Sequence, residues 1–498
     1  MTTPRNTIEL GGSPLTIAGL EAIATRAATP VLAAAAAGRI AQGRAVVERV
    51  VDQGIPAYGI NTGVGSQKDF ALDRAAVAAY NDRLLTAHAT IAPAPLASRE
   101  GVRAALAVQL QVFASGRSGV RQALVDALLA RLQSDDLPDA VLGSSPGMSD
   151  IVAMSQLSLP IIGRAGVGAG GHGPAPLRGL AAKEALSLLN SNSLTLGQGA
   201  LAVAQARRLL DAQHLVAALS LEGFQGNAAS WSEPVDRARG QPGQIVAGRK
   251  LRAALAGGTL LARGVNRLLQ DPLSFRCVPQ IHGAAESAMQ FAWDAWECEL
   301  NAVPDNPIVL WERDDLAQAF ISHGNMESTL LALTLDTLRL ALAKACDASS
   351  ERVHKLQWPN FTGLPAGLAQ DAGVSGGVQF LNTGHIAAGC AAAIRQAANP
   401  AVLNFRGQVC DGVEDVAGSA PVAVEQTERL LAPAWNLVTV EAVCAAWAVA
   451  RRGLDPATLG QGTGRLYAQL CPTLPIGREG EAIYDLSEAA AMVRAAVA

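Results

Sequence analysis

Leu331, Leu335, Leu338, Leu342 and Ala345 fall at i, i+4, i+7, i+11 and i+14, the spacing that lines one face of an α-helix with apolar side chains. The stripe predicts a long helix over about Asn325–Cys346, and such a helix stands only when packed against others. Ala181–Leu189 and Ala200–Leu221 look helical too, with Asn190–Gly199 as a polar interruption between them. Strand-like alternation is scarce. Its best candidate is Pro307–Trp311, after the turn-like Pro304-Asp305-Asn306. Composition points the same way: aromatics are 4% of the chain and alanine, the best helix former, is abundant. Half the 498 residues are hydrophobic and 16% are charged, enough for a large core and too apolar for global disorder. A mainly α-helical protein follows.

Several function classes are excluded or disfavoured. With 39 Lys+Arg against 43 Asp+Glu the net charge is −4, and no basic cluster marks a nucleic-acid footprint. Met1–Leu15 lacks the charged and apolar regions of a signal peptide, so a cytoplasmic location is expected. The longest uncharged stretch, Ala372–Ile394, holds Ser375, Gln379, Asn382, Thr383 and His385 and reads as a buried helix rather than a membrane span. Seven cysteines are dispersed without a CxxC pair, which suits reduced thiols. The seven histidines show no zinc-ligand spacing, so no metal is expected.

Three glycine-rich passages break the helical pattern: 58–65, 143–150 and 163–173. Within the third, Gly166-x-Gly168-x-x-Gly171 formally fits a dinucleotide fingerprint, but Pro160 before it and Pro174 and Pro176 after it deny the strand–turn–helix context. A surface loop is the better reading. Tyr58, in the first passage, is either a surface-packed turn residue or a phenol that a glycine-rich segment brings to a ligand as a base. In Gln270–Arg276 the guanidinium either ties down helix ends or holds a substrate carboxylate bidentately. Glu414-Asp415 is a solvated pair or an acceptor for a ring N–H.

The order and spacing of these passages resemble one family, the histidine and phenylalanine ammonia-lyases (aromatic amino acid lyases). Matching stretches are Tyr58-Gly-Ile-Asn-Thr-Gly-Val-Gly65, Leu84-Leu-Thr-Ala-His88, Gly143-Ser144 with Asp150, Ser158-Leu-Pro-Ile-Ile-Gly163 and Ala182-Lys-Glu-Ala-Leu-Ser-Leu-Leu-Asn190. Gln270-Asp-Pro272, Arg276-Cys-x-Pro-Gln280, Asn301-Ala-Val-x-Asp-Asn-Pro307, Gly324-Asn325, Ser350-Glu-Arg352 and Glu414-Asp415 continue the series to about residue 455. The resemblance implies an elongated subunit with a central helical bundle of the aromatic amino acid lyase/fumarase-like type. It would span 1–498, with an active-site loop region to about 200, the bundle from 200 to 455, and a C-terminal tail over 456–498. It also implies a homotetramer whose active sites draw on three chains.

By the same resemblance Tyr58 takes the position of the base that removes the β-proton, Arg276 that of the carboxylate anchor, and Asn190 that of an amide at the reacting centre. His88 and Glu414 stand where the histidine enzymes contact the imidazole. Gln270, Leu273, Asn306, Met326 and Glu327 fall at substrate-binding positions. The family's Ala-Ser-Gly triad, which cyclises to a methylidene-imidazolone, matches Gly147-Met148-Ser149. A thioether cannot dehydrate as a serine does, so no prosthetic group is expected. The leading expectation is a carbon–nitrogen lyase acting without that electrophile on a histidine-like amino acid or its betaine. The resemblance to ergothionase, a relative without the group, supports the betaine, whose trimethylammonium is a ready leaving group. Isomerisation or cyclisation by Tyr58, a non-catalytic binding relative and an ordinary histidine ammonia-lyase remain as alternatives.

Overall fold

The computed structural model describes residues 6–134, 136–167, 174–263, 267–369, 381–404, 408–474 and 483–498. Part of the 163–173 passage and of the 372–394 stretch lies outside them. The chain forms two compact units, one of Met1–Ala204, Trp293–Leu333 and Pro400–Glu425, the other of Gln205–Ala292, Thr334–Asn399 and Gln426–Ala498. Both are mainly helical.

The first unit opens with two parallel strands, Asn6–Leu10 and Ala28–Leu32, paired from Asn6↔Ala28 to Leu10↔Leu32 and joined through the helix Ile17–Ala24. Pattern reading misses this pair, because each strand is only five residues long and neither alternates cleanly. The expected strand at Pro307–Trp311 shortens to Ile308–Val309, antiparallel to Phe320–Ile321. At the heart of the unit the helix Arg99–Ala114 is buried almost all round. The start of the helix Ser193–Phe224 presses closely on it. A Cβ at Gly197 would lie 2.7 Å from Ala105 N, and one at Gly199 would lie 1.9 Å from Cη2 of the buried Trp296 ring.

The polar interruption expected over Asn190–Gly199 narrows to three residues, since the helix begins at Ser193. Its first turn is satisfied from a distance: Asp150 accepts from Thr195 N–H at 2.8 Å and from Thr195 Oγ1 at 2.7 Å. Those bonds occupy the Asp150 side chain, which therefore gives no cap to its own helix, Ile151–Ser158. The long helix expected from about Asn325 runs over Thr329–Gln357. It starts late because Glu327 accepts from Thr329 N–H at 2.9 Å and Oγ1 at 2.6 Å. Leu331, Leu335, Leu338, Leu342 and Ala345 are all buried, as their spacing requires.

In the second unit the fully buried Arg352 binds Glu441 through Nε at 2.6 Å and Nη2 at 2.9 Å. Nearby, Asp211, His214 and Glu286 bring three potential ligand atoms within 4.8 Å of one another. Both carboxylates are already engaged: Arg207 donates to the two Glu286 oxygens at 2.8 Å, and Lys250 bridges Asp211 at 2.7 Å and Glu286 at 2.9 Å.

Candidate active site

The first unit holds a cavity of about 1210 Å³ lined by the segments 58–72, 147–148, 323–327 and 410–416, by Asn190 and Asn306, and by side chains of the helices Arg74–His88, Ile151–Ser158 and Glu184–Leu189. The loop after the helix Ala34–Gln53 presents Tyr58. Despite its glycines it is braced: Asn61 accepts from Ala57 N–H and donates to Ile55 O, both at 2.8 Å. Gly59 adopts φ +64, the left-handed region glycine favours. Gly65 N–H then donates to Tyr58 Oη at 3.1 Å.

The helix Arg74–His88 supplies the facing wall, with Tyr80, Leu84 and His88 at i, i+4 and i+8. His88 Nδ1 lies 2.8 Å from Leu84 O. A carbonyl can only accept, so Nδ1 carries a proton, and Nε2 is the ring nitrogen not engaged in that bond. Glu414 shares the cavity. Burial raises its pKa above the ordinary carboxylate value, against the opposing pull of the Cys410 thiol and the His88 charge.

Asn190 ends the helix Glu184–Leu189 and clamps two turns together. Its Oδ1 accepts from Ser149 Oγ at 2.8 Å, and its Nδ2 donates to Asn306 O at 3.2 Å. Asn306 Oδ1 in turn accepts from Ser322 Oγ at 3.1 Å and His323 N–H at 2.9 Å. The fully buried Lys183 reaches the neighbouring Asp305 Oδ1 at 3.0 Å, and Ser187 Oγ at the same distance. His323 accepts Asn325 N–H on Nδ1, so its Nε2–H donates to Asp305 O, both at 3.0 Å. Asn192 Nδ2 holds Met326 O at 2.7 Å, placing Met326 and Glu327 in the wall. In the turn itself Gly147 has φ +104 and Ser149 φ +87. Ser145 Oγ donates to Ser149 O at 2.8 Å. Burial pushes the Asp150 carboxyl up to about 6, against the donors on its oxygens.

Of the residues singled out in the sequence, Tyr58, His88, Gly147, Met148, Asn190, Asn306, Met326, Glu327 and Glu414 therefore meet at one cavity. Ser149 is turned to Asn190 instead. Gln270, Leu273 and Arg276 belong to the second unit and do not line it. There the Gln270 amide, oriented with its oxygen toward Arg276, accepts from Nη2 at 3.2 Å and from Nη1, and Leu273 is exposed. Sequence reasoning missed Tyr80 and His323. The helical spacing of Tyr80 from His88 was an available signal; His323, in a turn, had none.

The sequence matches the aromatic amino acid lyase family over residues 15–471. The chain belongs to that family. It is 32% identical to a histidine ammonia-lyase of Symbiobacterium thermophilum over 475 residues, 93% of this chain and 91% of that protein. The crystal structure of ergothionase from Treponema denticola, in complex with desmethyl-ergothioneine sulfonic acid, superposes with a TM-score of 0.87 at 28% identity, over 99% of this chain and 98% of that one. Histidine ammonia-lyase from Trypanosoma cruzi, at 23% identity, shares the fold with a TM-score of 0.85 over 98% and 93% of the two chains. The fold is that of the histidine and phenylalanine ammonia-lyases, and the chain is an enzyme of the carbon–nitrogen lyase class.

This kinship corrects one expectation, that the chain carries no prosthetic group. A primary amine is a poor leaving group, and the methylidene-imidazolone serves the very reaction for which these relatives are named. Nothing in the comparisons sets this chain apart from them in that respect. As they stand, the residues Gly147-Met148-Ser149 offer no hydroxyl at the central position.

Proposed function

We propose that the enzyme eliminates the amine from a histidine-like amino acid or its betaine, of the hercynine or ergothioneine type, to leave an imidazolyl acrylate. The observation that carries this reading is the convergence of Tyr58, His88 and Glu414 on one cavity. His88 Nε2, the unengaged ring nitrogen, and the Glu414 carboxylate are two polar contacts for an imidazole. The Tyr58 oxygen takes the Cβ proton, the C–H electrons form the Cα=Cβ bond, and the C–N bond breaks with its pair leaving on the amine. A trimethylammonium departs as trimethylamine. The likeness to ergothionase supports the betaine, and the relatives named histidine ammonia-lyase support histidine as the second candidate.

Arg276 is the carboxylate anchor in this proposal, supplied by another copy in a homotetramer with shared sites. The match of Gln270-Asp-Pro272 and Arg276 to the family's carboxylate-binding run supports that role. The seven cysteines are free thiols, which fits a cytoplasmic location.

The test is incubation with histidine, hercynine and ergothioneine, following acrylate absorbance and amine release. Tyr58→Phe is expected to lower turnover at least ~100-fold, the effect of losing a general base. Glu414→Gln is expected to lower activity on imidazole substrates. Full activity of both variants on the best substrate, or no product from all three, overturns the proposal.

A further inference from the structure

Glu327 brings a carboxylate to the cavity beside the Gly147-Met148 turn. Both of its chain neighbours pin it there. Met326 O accepts from Asn192 Nδ2 at 2.7 Å, and Ser328 Oγ donates to Gly147 O at 3.3 Å. Glu327 N–H donates to Gly324 O at 2.9 Å and closes its own turn. One carboxylate oxygen, Oε1, takes both described bonds, from Thr329 N–H at 2.9 Å and Thr329 Oγ1 at 2.6 Å. Oε2 has no described partner, and among the described residues no lysine or arginine pairs with the group. A charged neighbour is another acid: burial and the charge of Glu327 both raise the Glu299 pKa. An anion placed so gains from a cation that the described residues do not supply.

We propose that Glu327 is the specificity-determining counter-ion of a trimethylammonium group on the substrate, so that the site selects betaines over free amino acids. The inference rests on reading the cavity as the place where an amine is eliminated. Asn190 Nδ2 donates to Asn306 O at 3.2 Å, and Asn306 Oδ1 accepts from His323 N–H at 2.9 Å. The amide assigned to the reacting centre and the turn that carries Glu327 therefore belong to one hydrogen-bonded frame. A trimethylammonium has no N–H to donate, so charge and methyl contact must hold it, and a carboxylate with a free oxygen supplies the charge. Glu414 and Asp415 also line the cavity, at the hairpin closed by the Val409↔Glu414 bridge, and Glu414 is assigned to the ring. The contact serves binding rather than chemistry. As the C–N bond breaks, its electron pair cancels the positive charge on nitrogen, so the carboxylate stabilises bound substrate more than the transition state.

The test is initial-rate kinetics of the full-length enzyme on hercynine or ergothioneine, whichever is turned over faster, with imidazolylpropionate as a competitive inhibitor that lacks the ammonium. Glu327→Gln keeps an oxygen for the Thr329 bonds and removes only the charge. It is expected to raise KM for the betaine about tenfold or more, without lowering kcat, because the lost contact belongs to the ground state. The inhibition constant of imidazolylpropionate should stay the same or fall. Glu327→Asp, which restores the charge, should recover part of the KM. An unmoved KM in Glu327→Gln overturns the assignment, as does a fall in kcat at constant KM. An equal weakening of betaine and inhibitor marks Glu327 as merely structural. Failure of the unaltered enzyme to turn over either betaine defeats the betaine reading instead, and the assignment with it, so the two failures are distinct.

Discussion

Asp305→Asn offers the sharpest test of how the cavity floor is held. The substitution keeps the shape of the side chain but removes the charge facing Lys183, which is 0% exposed and paired at 3.0 Å. Stranding one member of a buried pair costs about 3–5 kcal/mol. The lysine has one escape, loss of its proton, and burial already lowers its pKa while the Asp305 charge holds it up. For a free lysine near ~10.4, deprotonation costs about 4.6 kcal/mol at pH 7 and about 1.9 kcal/mol at pH 9. The destabilisation is therefore capped near the first figure at neutral pH. It should shrink to the second as pH rises, because the unfolded chain still binds the proton that the folded variant excludes. Urea midpoints and slopes at pH 7, 8 and 9 measure this directly. Lys183→Met added to Asp305→Asn should recover more than about 1 kcal/mol at pH 7, since no charge is then stranded. A loss below about 1 kcal/mol for Asp305→Asn, or one independent of pH, refutes the argument that this pair pins the Asn306 turn.

Other outcomes follow from the second unit. Burial pushes His214 down to about 4, against the charge of Glu286. Since the unfolded histidine near ~6.5 binds the proton that the native one rejects, His214 should remove about 3 kcal/mol of stability as pH falls from 6.5 to 4. His214→Phe should flatten that part of the urea profile, and an unchanged slope would contradict it. Arg276→Ala should raise KM and lower kcat together. Co-expressed with Tyr58→Phe, it should yield mixed oligomers with activity that neither variant has alone; no recovery would argue against an anchor from another copy.

Much of this was legible in the chain. The Leu331–Ala345 stripe announced its helix because local periodicity and burial agree there, and nine singled-out positions converge on one cavity. What stayed hidden depends on distant partners. Nothing near Ser193 reveals that its helix begins there, because the satisfying carboxylate is Asp150. The Lys183–Asp305 pair joins residues 122 positions apart, and the buried lysine looks in sequence like any surface cation. Met148 is a different case: its side chain alone points away from a prosthetic group, while the kinship of the whole chain points toward one.

The close seat of the Ser193–Phe224 helix bears on how such an enzyme diversifies. No methyl group fits at Gly197 or Gly199, so the helix that follows Asn190 cannot slip in register without collision. Val413, Met326 and Cys410, by contrast, sit on loops that border open space. Substrate range in descendants of this chain is thus free to drift through those loops while the helical seat stays frozen. A gene library confined to the loops would explore new ring systems without spending members on broken scaffolds.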